Sequence, residues 1–73
     1  MMERDEHLQW AKERALQYLD ADPAQAFTSM LSDLSKHPEL KNHKGGEIGV
    51  MFMMLPGWIN NSAEVRRWIV GFN

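Results

Sequence analysis

The sequence predicts an all-α fold, a compact bundle of four short helices around a central apolar helix. Three observations predict it. Residues 48–55 make the only long uninterrupted apolar run, and its Met and Leu content favours helix, with only Ile48 and Val50 β-branched. The flanking segments carry apolar stripes on one side at helical spacing. Short clusters of Asp, Pro, Gly and Asn separate these segments.

The first helix is expected over residues 5–20, with Asp5 and Glu6 at the positive end of its dipole. Leu8, Ala11, Ala15 and Leu19 form its stripe, flanked by Leu16 and Tyr18. Trp10 falls nearly opposite, among Glu6, Glu13, Arg14 and Gln17. Arg14, four residues on, is placed to stack on the indole as a cation–π pair. Trp10 therefore reads either as a shielding residue at a helix edge or as a contact residue.

Asp22 is a natural N-cap for a second helix over 23–36, Pro23 suits its first position, and Gln25 completes a capping-box pattern. Ala26, Phe27, Met30, Leu31 and Leu34 share one face, with Gln25, Thr28, Ser29, Ser32 and Lys36 on the other. His37-Pro38 ends the helix, because a residue before proline avoids the helical region. The following segment to Gly46 reads as a loop with room for one turn near Pro38 and Leu40. It gathers Lys36, Lys41 and Lys44 with His37 and His43, a solvated basic connection or, less simply, an anion site.

The central helix is expected over 44–55, punctuated by Gly45-Gly46 ahead and Pro56-Gly57 behind. It is far short of the ~20 apolar residues a bilayer span needs. Ile48, Met51, Phe52 and Leu55 lie on one face, while Val50, Met53 and Met54 point the other way. A helix apolar all round must be covered on both sides. The second and fourth helices are expected to lay their stripes on it, with the first closing the side. So small a bundle leaves part of the Val50, Met53 and Met54 surface uncovered. Trp58 and Ile59 are expected to close the end of the core. Asn61 or Ser62 caps a last helix over 62–71, with Val65, Trp68, Ile69 and Phe72 inward and Arg66, Arg67 and Val70 outward.

At 73 residues the chain is a single domain over 1–73, and a chain this small buries only ~60% of its unfolded surface. With no Cys, disulfides and thiolate metal sites are excluded and oligomerisation is the remaining staple. An apolar fraction of 44% with 25% charged residues is globular composition. A net charge of −2 argues against a phosphate-neutralising surface. The charged start, Glu3 to Glu6, has no apolar core of a secretory signal, and no polybasic anchor follows. The expected setting is cytoplasmic, away from membranes.

No residue pattern assigns chemistry. His37 and His43 are six apart, match no ligand spacing and read as solvent-exposed loop histidines, with His7 distant. Neither a metal nor a cofactor is expected. Ser29, Ser32 and Ser35 read as ordinary helix surface without a nucleophile elbow, and Asp20 and Asp22 are better explained as turn and cap. Gly45-Gly46 lacks the ending of a phosphate loop. The chain is thus expected not to be an enzyme. Nucleic-acid binding through Arg66, Arg67 and the loop over 36–44 is the alternative, although the last helix offers few outward basic residues. Protein binding is preferred: Val50, Met53 and Met54 as a two-fold homodimer interface or a surface for a host protein, with Trp10 as a further contact. A closed monomer is the third possibility.

Leu19-Asp20, Lys36-His37-Pro38-Glu39 and Val65-Arg66-Arg67-Trp68-Ile69 together resemble a family of small phage- and prophage-encoded helical proteins. The likeness covers most of the chain beyond residue 10. It implies a small viral accessory protein acting in a bacterial cytoplasm, and it carries over no activity and no catalytic residue.

Overall fold

Short breaks divide the chain into α1 (Arg4–Leu19), α2 (Pro23–Ser35), α3 (Lys44–Met53), a 3₁₀ turn (Trp58–Asn60) and α4 (Ser62–Gly71). The computed structural model describes residues 3–72. Met1, Met2 and Asn73, the ends of the domain span expected from the sequence, lie outside the described residues. Among the described residues there is no strand, so the all-α class holds. The helix ends fall within two residues of those expected.

Local chemistry explains the boundaries. The Asp22 carboxylate accepts the Gln25 N–H at 3.3 Å, and Pro23 starts the helix where a missing N–H costs nothing. The other half of the expected capping box is not made. The Asp22 N–H instead donates to the Tyr18 carbonyl at 2.8 Å, closing the end of α1. Asn61 caps α4 by accepting the Glu64 N–H at 3.2 Å. After α3, Pro56 and Gly57 form the centre of a type II turn, with Gly57 at φ 80° and ψ −8° and the Trp58 N–H on the Leu55 carbonyl at 3.2 Å. That turn reverses the chain and drops Trp58 into the core.

The core is built by α1, α2 and α4. The α1–α2 hairpin makes the most extensive helix contact. Its seam is made of Ala11, Ala15 and Ala26, which are fully buried and small enough for the two backbones to close up. Phe27, Met30 and Leu34 of α2 meet Val65 and Ile69 of α4 in the same buried cluster. Trp58 and Trp68 complete it, with Trp58 edge-on to Phe27 at 5.5 Å between centroids and Trp68 at 4.9 Å. The stripes expected for α1, α2 and α4 are the buried ones, apart from half-buried Leu31, and of the pair expected to close the core Trp58 is buried and Ile59 half-buried. The segment between α2 and α3 is more ordered than a basic loop. The Leu40 and Lys41 N–H groups both donate to the His37 carbonyl at 3.0 Å, and the turn carries Leu40 into the core.

The central helix is not where the sequence puts it. Ile48, Met51, Phe52 and Leu55, the face expected to receive α2 and α4, are all exposed, and Gly49 is the buried residue of α3. The reason is steric. Trp68, Phe72 and Phe27 already fill the space between α2 and α4, so a helix can approach only where it has no side chain. Gly45 and Gly49, four apart on one face, provide that approach. A Cβ on Gly45 would lie 2.5 Å from a Phe72 ring carbon, and one on Gly49 would lie 2.7 Å from Cζ2 of Trp68 and 3.0 Å from Cε1 of Phe27. Docking by the glycine edge turns the apolar side chains of α3 outward.

This packing separates two helical glycines. Overpacking a filled core costs ~1–3 kcal/mol, which outweighs the ~1 kcal/mol that alanine gains over glycine in a helix. Gly49→Ala should therefore lower the melting temperature. Gly46→Ala should raise it, because a Cβ there meets only Cδ2 of Leu31 at 3.8 Å. Thermal unfolding of the two variants followed by circular dichroism tests the opposite signs.

Candidate functional site

The candidate surface is the outer side of α3, and its position follows from how the helix is anchored. His43 precedes the helix in extended backbone, and its Nδ1 accepts the Gly45 N–H at 2.8 Å. The same ring lies against Phe72 at 4.5 Å. Trp68 Nε1 donates to the Gly45 carbonyl at 2.9 Å, pinning the first turn to α4. Near the other end, Phe52 packs on Trp58 at 5.3 Å. These contacts lie toward the glycine side, so the opposite side is left bare.

Val50, Met53 and Met54 are all exposed, Met54 at 79%. The bare surface is wider than the sequence suggested, because Met51 at 67%, Ile48 and Leu55 join it. Residues 48–55 contain no charge, and the exposed charges before them on the same side of the helix are Glu47, one turn before Met51, and Lys44, two turns before it. Along its edge an open groove of about 380 Å³ runs between α3 and α4. Ile48, Phe52, Trp58 and Trp68 wall it, and Glu64 and Arg67 stand at its rim as an ion pair at 3.5 Å. The chemistry available there is apolar contact with a few polar groups at the margin.

Trp10 is placed elsewhere. It is half-buried on α1, with the Arg14 guanidinium 5.0 Å from its ring centroid, the cation–π pair that the spacing suggested. His7 packs on it at 5.2 Å. Among the described residues no ring, hydrogen-bond or ion-pair contact joins Trp10 to Val50, Met53 or Met54.

The α1–α2 seam also holds a polar cluster that sequence reasoning missed. Asp33, only 2% exposed, accepts Arg14 Nε at 2.8 Å and faces Lys36 Nζ at 3.5 Å. His7 Nε2 lies 2.6 Å from the Asp33 carbonyl, and since a carbonyl only accepts, that nitrogen carries the proton. His37 lies 5.1 Å from His7, and its Nδ1 accepts the Glu39 N–H at 3.1 Å. His37 is thus buried rather than a solvent-exposed loop histidine, and His43 is half-buried at the head of α3. Spacing held the signal: Asp33 follows Met30 by three positions and His7 precedes Ala11 by four, so both belong to the buried faces. Each group is engaged in holding α1, α2 and the following turn together.

Of the other residues weighed for chemistry, Ser35 Oγ donates to the Ser32 carbonyl at 2.7 Å. Ser29 is not plain helix surface, since its hydroxyl is enclosed without a hydrogen-bond partner among the described residues. No three His, Asp or Glu side chains among the described residues gather as a metal site would require. Arg66 and Arg67 are exposed on α4, but Arg67 faces Glu64, and Lys36 turns to Asp33. No helix among the described residues is long and apolar enough to cross a membrane.

No known family, no curated protein and no solved structure matches this chain.

The indole bond that pins α3 has a direct test. Trp68→Phe keeps an aromatic ring against Phe27 but removes the donor to Gly45. The loss should exceed the ~1 kcal/mol of one such bond, because the part of the indole packed against Gly49 goes with it. Amide hydrogen exchange should accelerate in α3 while the amides of the α1–α2 seam keep their protection.

Proposed function

We propose that this protein is a non-catalytic protein–protein interaction module that works by presenting the outer side of α3 to another protein. The observation that carries the proposal is the exposed apolar set of Ile48, Val50, Met51, Met54 and Leu55 on a helix anchored from behind, with Met53 partly exposed at its docked edge. Soluble monomers rarely keep so large a contiguous apolar surface unless it is used. Unbranched methionines suit a contact of this kind, because their side chains adapt to the partner surface and their sulfurs pack well against rings.

The energetics are adequate for a contact of modest strength. Fully burying one large apolar side chain contributes ~1.5–3 kcal/mol, and association costs ~4–15 kcal/mol. Several side chains must be buried together before binding appears, and the patch has several. The setting is proposed from the sequence likeness: a small phage accessory factor that binds or inhibits a host component in the cytoplasm. The nucleic-acid alternative draws no support, since Lys36 and Arg67, two of the cations it would use, sit beside acids.

A photoreactive side chain placed at Val50 or Met51 tests the proposal in bacterial cytosol. Protein adducts should form from those two positions and be much weaker from Arg66, with Met54→Lys suppressing them. Adducts of equal strength from all three positions, or none from α3, would sink the idea.

A further inference from the structure

Three properties of the α3 surface bear on what covers it. The first is size. Five residues on the outer side, Ile48, Val50, Met51, Met54 and Leu55, leave bare the equivalent of about three whole side chains, on the order of 600 Å² at ~200 Å² each. A standard interface takes ~800 Å² from each partner, while the largest apolar patch of a typical monomer is ~300–600 Å². The second is composition. Interfaces between identical subunits are depleted of charge at their centre and more apolar than transient ones, and residues 48–55 carry no charge at all. The third is self-compatibility. In a two-fold pair the same patch meets itself: its apolar centre meets no like charge, and the exposed charges that precede it on the same side of α3, Lys44 and Glu47, are of opposite sign.

We infer that a second copy of this chain occupies the surface, α3 packing on α3 about a two-fold axis so that Met51, Met54 and Leu55 of each copy shield those of the other. The inference rests on the reading of α3 as a contact surface and assigns its occupant. The walls of the groove, Phe52 and Trp58, then lie at the margin of the interface, where a thioether from the other copy can meet an aromatic ring. A domain of 73 residues, short of buried area on its own, also gains from the association the covering that it lacks.

Sedimentation equilibrium of the whole chain between about 1 µM and about 1 mM is the test. The mass should rise from 8.5 kDa toward twice that value across the range. Met51→Lys and Met54→Lys change side chains already exposed in one subunit, so each should keep the helical circular dichroism of the parent. Each should weaken association at least about tenfold, because a lysine would be desolvated in the interface. Arg66→Glu, on the outside of α4, should leave the association unchanged. In a mixed sample with methyl-labelled methionine in half the chains, Met51 should show contacts between copies. A protein that stays at 8.5 kDa throughout, or a dimer that survives both lysine substitutions, overturns the inference. If the chain is monomeric and the photoreactive positions on α3 still capture another protein, only the second copy is rejected. If it is monomeric and they capture nothing, the contact surface falls with it.

Discussion

The close approach of α3 to a floor of aromatic rings governs the arrangement of this molecule. Trp68, Phe72 and Phe27 occupy the space where a helix with side chains would have to pack, and only the edge formed by Gly45 and Gly49 fits against them. The hydrogen bond from Trp68 Nε1 to the Gly45 carbonyl fixes that edge in place. Once α3 is seated by its backbone, the direction of every other side chain on it follows from helical geometry. The apolar exterior of α3 is thus a consequence of how the interior is filled.

The remaining helices give α3 a stable base. Alanines at the α1–α2 seam allow tight closure, and Asp33 ties Arg14 of α1 and Lys36 to its own helix. A carboxylate this deeply buried is tolerated because it is paired and its backbone carbonyl is also engaged by His7. His37 and the turn that follows extend the same polar seam and bring Leu40 under it. The pairing of Arg14 with Asp33 also holds the guanidinium over Trp10, so one cation joins the polar seam to the indole surface. The apolar patch is therefore mounted on a body whose buried Asp33, His7 and His37 are engaged in internal contacts.

Such a division of labour suits an interaction protein. Side chains that would normally complete a core are displaced to the surface by aromatic residues, and the displaced set comes from one uninterrupted apolar run. Burial by another surface then recovers the hydrophobic contribution that the single subunit forgoes. The glycine edge makes this possible at some loss of helix propensity, since Gly45, Gly46 and Gly49 all lie in a helix of ten residues. Propensity and packing conflict in α3, and packing prevails.

The sequence by itself determined the four helices, their caps at Asp22 and Asn61, and the inward stripes of α1, α2 and α4, because apolar periodicity and capping chemistry act over a few residues. It also determined that an apolar surface would be left over, since residues 48–55 are oily on every side. Which side of α3 faces the core was decided only in the tertiary structure. Periodicity ranks faces by their side chains, and here the buried face is the one without them, selected by three rings that come from α2 and from α4 and its C-terminal end. The same holds for Asp33 and His37, whose burial depends on Arg14, His7 and the 37–41 turn meeting across long stretches of chain.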